Sequence, residues 1–129
     1  MAVTATRRIR IVAGDACLEA ELRDTPTARA VWEALPFEAG ANTWGEEIYF
    51  RIPVSLELEP EARDVVQVGD LGYWPAGQAF CVFFGPTPVS REGEIRPASA
   101  VNVFGRIVGD VASLKKVRDG DPVRVERIA

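Results

Sequence analysis

The chain has 129 residues, enough for one domain that buries about two-thirds of the surface its unfolded form exposes. With 47% hydrophobic and 26% charged residues it has the composition of a packed globular protein, which excludes a disordered chain. Its net charge of −4 argues against nucleic-acid or anionic-membrane partners, and the complete absence of histidine removes the commonest general base, the Ser-His and Cys-His pairs and most zinc sites.

The elements follow in chain order. Residues 1–6 read as a frayed end. Residues 8–12 and 17–22 read as two strands joined through Ala13-Gly14-Asp15, because Leu18, Ala20 and Leu22 alternate with Glu19, Glu21 and Arg23. Arg7, Arg8 and Arg10, the one basic cluster, alternate with Ile9 and Ile11 as the solvated face of an edge strand. Asp24-Thr25-Pro26 carries a helix start, with a side-chain oxygen to cap free N–H groups and Pro where its missing donor costs nothing. Ala28, Val31, Trp32 and Leu35 then form one apolar stripe, with Trp32 as its anchor, and Pro36 ends the helix.

Residues 42–51 are rich in the aromatics that strands favour. Val54, Leu56 and Leu58 alternate with Ser55, Glu57 and Glu59, which predicts a further strand. Gly69-Asp70 marks a turn before residues 71–75, and the run 79–84 is apolar on both faces, as a central strand covered from outside would be. Residues 85–100 contain three prolines and two glycines and form a long loop. Residues 101–108 return to strand character, Asp110 can cap a short helix holding Val111, Leu114 and Val117, and residues 123–128 close the chain. Cys17 and Cys81 read as two buried thiols of a reducing compartment, and with no signal-peptide core or membrane-length apolar run the expected location is cytoplasmic.

Short, evenly interrupted strands of this kind predict a mainly β fold, a closed or nearly closed antiparallel barrel of about eight strands with two short helices. Four stretches carry a family resemblance: Asn42-Thr43-Trp44-Gly45-Glu46-Glu47-Ile48-Tyr49-Phe50, then Gly69-Asp70-Leu71-Gly72-Tyr73-Trp74-Pro75 with Gly77, then Phe83-Phe84-Gly85-Pro86-Thr87-Pro88, and Pro97-Ala98-Ser99-Ala100-Val101-Asn102-Val103. On these the chain resembles the atypical cyclophilin-like proteins of bacteria and archaea, which implies the same barrel as a single domain. Tyr49-Phe50-Arg51-Ile52-Pro53 is similar to the segment in which the peptidyl-prolyl isomerases place their catalytic arginine, which puts Arg51 at that position. Where those enzymes have a pocket histidine this chain has Val101, and Arg96 stands near the place of their pocket tryptophan.

The expected function is therefore binding of a peptide segment or small ligand in a barrel-side cleft, without efficient prolyl isomerase activity, cofactor or metal. Trp44, Arg51, Tyr73 and the loop of residues 85–100 would wall the cleft, and Glu46, Thr87, Ser99 and Asn102 would contribute polar contacts. Each has a structural reading beside it: Arg51 as a surface strand residue paired with a carboxylate, Tyr73 and Trp44 as core, the small polar groups as turn caps. Glu46 and Glu47, being consecutive strand residues, point to opposite faces and cannot share a cleft. The alternatives are a weak prolyl isomerase using Arg51, and a hydrolase- or isomerase-like enzyme using one glutamate with Tyr73.

Overall fold

A computed structural model describes residues 7–128, so the expected frayed end, residues 1–6, lies outside the described residues. The alternation at the start of the chain forms the hairpin of β1 (Arg8–Ala13) and β2 (Ala16–Leu22), in which Ile9, Ile11, Leu18, Ala20 and Leu22 face inward. Gly14, at φ +56°, makes the tight turn between them. Helix α1 (Pro26–Ala34) is capped by the Thr25 side chain, which accepts from Ala28 N, and it buries Thr27, Ala28 and Val31. Trp32 is only half-buried: it packs on the core with one side, and the Arg127 guanidinium lies 5.0 Å from the centre of its ring.

The remaining strands are β3 (Phe37–Gly40), β4 (Asn42–Thr43), β5 (Glu47–Arg51), β6 (Asp70–Trp74), β7 (Ala79–Phe83), β8 (Asn102–Val108) and β9 (Pro122–Arg127). Among the described residues they form one nine-stranded sheet in the order β3-β9-β1-β2-β8-β6-β7-β5-β4, with every pairing antiparallel. Its two end strands, β3 and β4, are separated in the chain by Ala41 alone, so the sheet curls until its edges meet in a nearly closed barrel. Phe50, Phe80 and Phe104 fill the interior, Phe80 stacking on Phe50 at 4.9 Å and meeting Phe104 edge-on at 5.0 Å. In place of two helices there are, among the described residues, α1 and two 3₁₀ turns, over Pro75–Gly77 and Ala112–Lys116; Asp110 accepts from Ala112 N at the second.

Four expectations are corrected. β1 is not an edge strand: it lies between β9 and β2, and its outward arginines meet acidic neighbours, Arg8 with Glu19 and Glu21, Arg10 with Glu126. Residues 42–51 are not continuous but two strands around a turn, since Gly45 takes φ +61° and Trp44 N donates to Glu47 O. Val54, Leu56 and Leu58 form no strand. Burial alternates only as far as Leu56, Leu58 being 51% exposed, and the backbone bonds to side chains: Tyr73 Oη donates to Val54 O (2.6 Å) and accepts from Leu56 N (3.2 Å), while Asn102 Nδ2 donates to Glu57 O (3.0 Å) and its Oδ1 accepts from Glu59 N (2.7 Å). Cys17 points outward from β2 and is exposed, whereas Cys81 is buried; both are free thiols. Among the described residues no helix is long and apolar enough to cross a membrane.

Candidate binding cleft on the outer barrel face

The two-residue period of β5 turns Ile48 and Phe50 into the barrel and leaves Glu47, Tyr49 and Arg51 on its outer face. On β7 the partners of these three residues are Phe83, Cys81 and Ala79, and across the sheet Cys81 pairs with Gly72 of β6. Apart from Glu47 and Arg51 this outer face is apolar, and residues 84–101 fold over it, with Val66, Ile95 and Val101 packing on Ala79, Cys81 and Phe83 as a second, smaller core. Gly72 makes the close approach possible, because a Cβ there would stand 2.8 Å from Val101 Cγ2 and 3.1 Å from the Phe83 ring.

Between sheet and cover lies a cavity of about 190 Å³, lined by Trp44, Glu47, Tyr49, Trp74, Cys81, Pro97, Ala98 and Val101. Trp44 and Glu47 are positioned by the β4–β5 turn, which is tied to the cover on both sides of Glu46: Glu46 N donates to Pro86 O (2.8 Å) and Phe84 N to Glu46 O (2.9 Å). The indole of Trp74 lies over Gly77, where a Cβ would come within 2.7 Å of the ring, and its Nε1 donates to Ser99 Oγ.

Glu47 is the chemically distinctive residue. It is 5% exposed, and among the described residues its Oε1 has no hydrogen-bond partner. Burial pushes its carboxyl from 4.5 up to about 7, against a smaller downward pull from a hydrogen bond with the Cys81 thiol. Burial, and next the neighbouring Glu47 charge, push the Cys81 thiol well above its ordinary value, so it stays protonated at neutral pH and is a poor nucleophile. The site therefore holds one group that titrates near neutrality, in a wall of aromatic and aliphatic side chains.

The sequence-selected residues distribute unevenly around this cavity. Trp44 lines it, as do loop residues 97 and 98. The carboxylate that faces it is Glu47, whereas Glu46 points away, beside Gly85 and 3.9 Å from Lys115 Nζ. Tyr73 is fully buried inside the barrel, because its position in β6 has the opposite parity to Gly72 and Trp74. Asn102 is buried in the staple to residues 57 and 59 and also donates to Thr27 Oγ1, itself bonded to Glu59. Thr87 donates to Arg96 O and shares Ser90 with the Arg96 N–H, which ties the loop to itself. Ser99 acts on the cavity through Trp74. Arg51 lies on the same face as Glu47 but outside the lining; it is exposed, and its Nη2 donates to Gln78 Oε1 at 3.0 Å, an amide rather than a carboxylate. Sequence reasoning singled out neither Tyr49 nor Trp74 as a wall. Strand parity with Glu47 was the available signal for Tyr49.

A nearly closed antiparallel barrel whose end strands β3 and β4 are linked through Ala41, with a loop-covered cleft on the outside of β5, β7 and β6, defines the class. The chain belongs to the cyclophilin-like family, whose model matches residues 7–126. Among solved structures it is similar to the solution structure of the hypothetical protein AF2241 from Archaeoglobus fulgidus, at 49% identity over 95% of each chain, with a TM-score of 0.81. A search of curated proteins found none that matches the chain.

Proposed function

We propose that the chain is a ligand-binding module that holds a peptide side chain or small-molecule group in the outer cleft, without efficient prolyl isomerisation. The observation that carries this reading is the buried Glu47 carboxyl, whose Oε1 has no hydrogen-bond partner among the described residues, facing a cavity walled by Trp44, Tyr49 and Trp74. A polar group left unpaired in an apolar wall is costly, and an incoming ligand group that meets it removes that cost. The cavity volume of about 190 Å³ suits one side chain or head group. It is smaller than the roughly 300–1,000 Å³ of sites for drug-sized ligands and larger than the roughly 150 Å³ that accommodates a benzene ring.

Isomerase chemistry is disfavoured by the placement of Arg51. Lowering a barrier of roughly 18–20 kcal/mol needs a donor fixed against the twisting amide, and groups out of position lose most of their effect. Arg51 is exposed, engaged with Gln78 and outside the cavity lining.

Two measurements test the reading. In a proline-peptide isomerisation assay, wild type and Arg51→Ala should both run at the uncatalysed rate; an acceleration lost in the variant overturns the non-catalytic assignment. In two-dimensional NMR, a panel of amines, neutral alcohols, carboxylates and prolyl peptides should include members that shift the indole N–H resonances of Trp44 and Trp74 while sparing Trp32. If no member moves them, the binding assignment is wrong.

A further inference from the structure

The cleft has an electrostatic gap. Buried carboxylates in folded proteins are ordinarily paired with a cation or held by several donors. Among the described residues Glu47 has neither around its Oε1, and no Lys or Arg lines the cavity. The titratable groups that face it are Cys81 from β7 and Tyr49 from β5; the cover contributes only Pro97, Ala98 and Val101, and the other walls are Trp44 and Trp74. The two arginines nearest in sequence to these walls are occupied elsewhere, Arg96 with Glu94 at 2.7 Å and Arg51 with Gln78 at 3.0 Å.

The same cavity brings together three aromatic side chains, whose ring faces carry negative partial charge and attract cations. A carboxylate and three rings with no positive counterpart form a site of one sign. Resting on the reading that this cleft binds a ligand, we propose that the ligand presents a positively charged group, an alkylammonium or guanidinium, which the rings of Trp44, Tyr49 and Trp74 enclose and Glu47 pairs with. The chain thus supplies the acceptor half of a buried ion pair, and the ligand supplies the donor half. The protein's net charge of −4 has the sign that favours approach of such a ligand.

The competing chemistry is a neutral ligand whose carbonyl accepts a hydrogen bond from protonated Glu47. The two differ in their response to pH. A cation needs the ionised carboxylate, whose fraction rises from about a tenth at pH 6 to about nine-tenths at pH 8 for a group titrating at about 7. Apparent affinity for a cation should therefore rise roughly tenfold over that interval, and affinity for a carbonyl acceptor should fall by a similar factor.

The probes are choline, methylguanidinium and 3,3-dimethylbutan-1-ol, the last a neutral counterpart of choline in shape. Each is titrated into the whole chain at pH 6 and pH 8 while the Trp44 and Trp74 indole N–H resonances are followed. The proposal expects at least one cation to bind in the cleft, about tenfold tighter at pH 8, with the neutral alcohol at least tenfold weaker there. Glu47→Gln should lose the pH dependence and at least tenfold in affinity for the cation. The wild-type pH series needs no variant, so the test survives if the substituted chain does not fold. Should the alcohol bind as well as the cations, or should all affinities fall towards pH 8, the charge assignment is overturned while the binding assignment stands. If neither these probes nor the wider panel moves the indole resonances, both fall.

Discussion

The Trp74 indole donates from Nε1 to Ser99 Oγ at 2.6 Å, which fastens the end of β6 to the loop that forms the opposite wall of the cleft. One hydrogen bond thus sets the position of a cavity wall from outside the cavity. Ser99→Ala removes that tether without touching the core. Stability should change by less than about 1 kcal/mol, as is usual for one exposed hydrogen bond. Affinity for the cationic probe should drop several-fold because Trp74 gains rotamer freedom. The check is urea unfolding beside the NMR titration; unchanged affinity would mean that Trp74 is held by packing on Gly77 alone.

Glu47 makes stability depend on pH with a definite sign. Its carboxyl titrates at 4.5 when exposed and at about 7 in the folded chain, so between those values the folded state binds the proton more tightly. Below pH 4.5 both states are protonated and the residue exacts no ionisation penalty. As pH rises through about 7 the folded chain loses its advantage, by roughly 3 kcal/mol in full. Glu47→Gln carries no ionisable group and should be more stable than wild type at pH 8 by roughly that amount, with a smaller difference at pH 5. Urea unfolding of both proteins at the two pH values measures it; a gap independent of pH contradicts the assignment.

Gly72 and Gly85 offer a contrast between rigid and yielding neighbours. A methyl group at Gly72 would collide with Val101 and Phe83, both fully buried, so Gly72→Ala should destabilise the chain by about 1–3 kcal/mol and lift the cover from the sheet. At Gly85 the obstacle is the end of the Glu46 side chain, 2.6 Å away but half-exposed and free to swing aside. Gly85→Ala should stay within about 0.5 kcal/mol of wild type. Thermal melts of the two variants would reverse this order only if the cover were loosely seated.

The thiols should separate cleanly by reactivity. Cys17 is exposed on β2, while Cys81 is buried beside Glu47 with its thiol held protonated. Iodoacetamide on the native chain should modify Cys17 alone, and Cys81 should react only after denaturation. Mass spectrometry of the native protein with two modified thiols would show that the outer cleft opens readily.

How far the fold was legible varies with position. Ile9 and Ile11, or Leu18, Ala20 and Leu22, announce their strands because only one sheet face is buried there and the alternation survives. Val54, Leu56 and Leu58 alternate in sequence without a strand: Val54 and Leu56 turn inward while Leu58 is exposed, and the backbone of residues 54–59 bonds to the side chains of Tyr73 and Asn102. Side-chain pairing of that sort has no local signature. The turn at Gly45 had a local signal in the glycine itself, but the aromatics on either side outweighed it, and the close approach of residues 86–88 that bars a side chain there is a tertiary contact.

For the site, periodicity separates faces but does not say which face is which. The pleat puts Tyr73 and Trp74 on opposite sides from sequence alone; Glu46 and Glu47 also part, but because Glu46 lies in the turn before β5 rather than on its pleat. It cannot say that Glu47 and Trp74 are the pair turned to the cleft. That choice belongs to the closure of the barrel through Ala41, which makes one side of β5, β6 and β7 the interior, and to the loop that covers the other side. Composition and alternation along the chain were enough to define a barrel without imidazole chemistry. Burying one carboxyl among three rings required strands distant in sequence to be brought edge to edge, because desolvation is a property of the surroundings in space and not of neighbours along the chain.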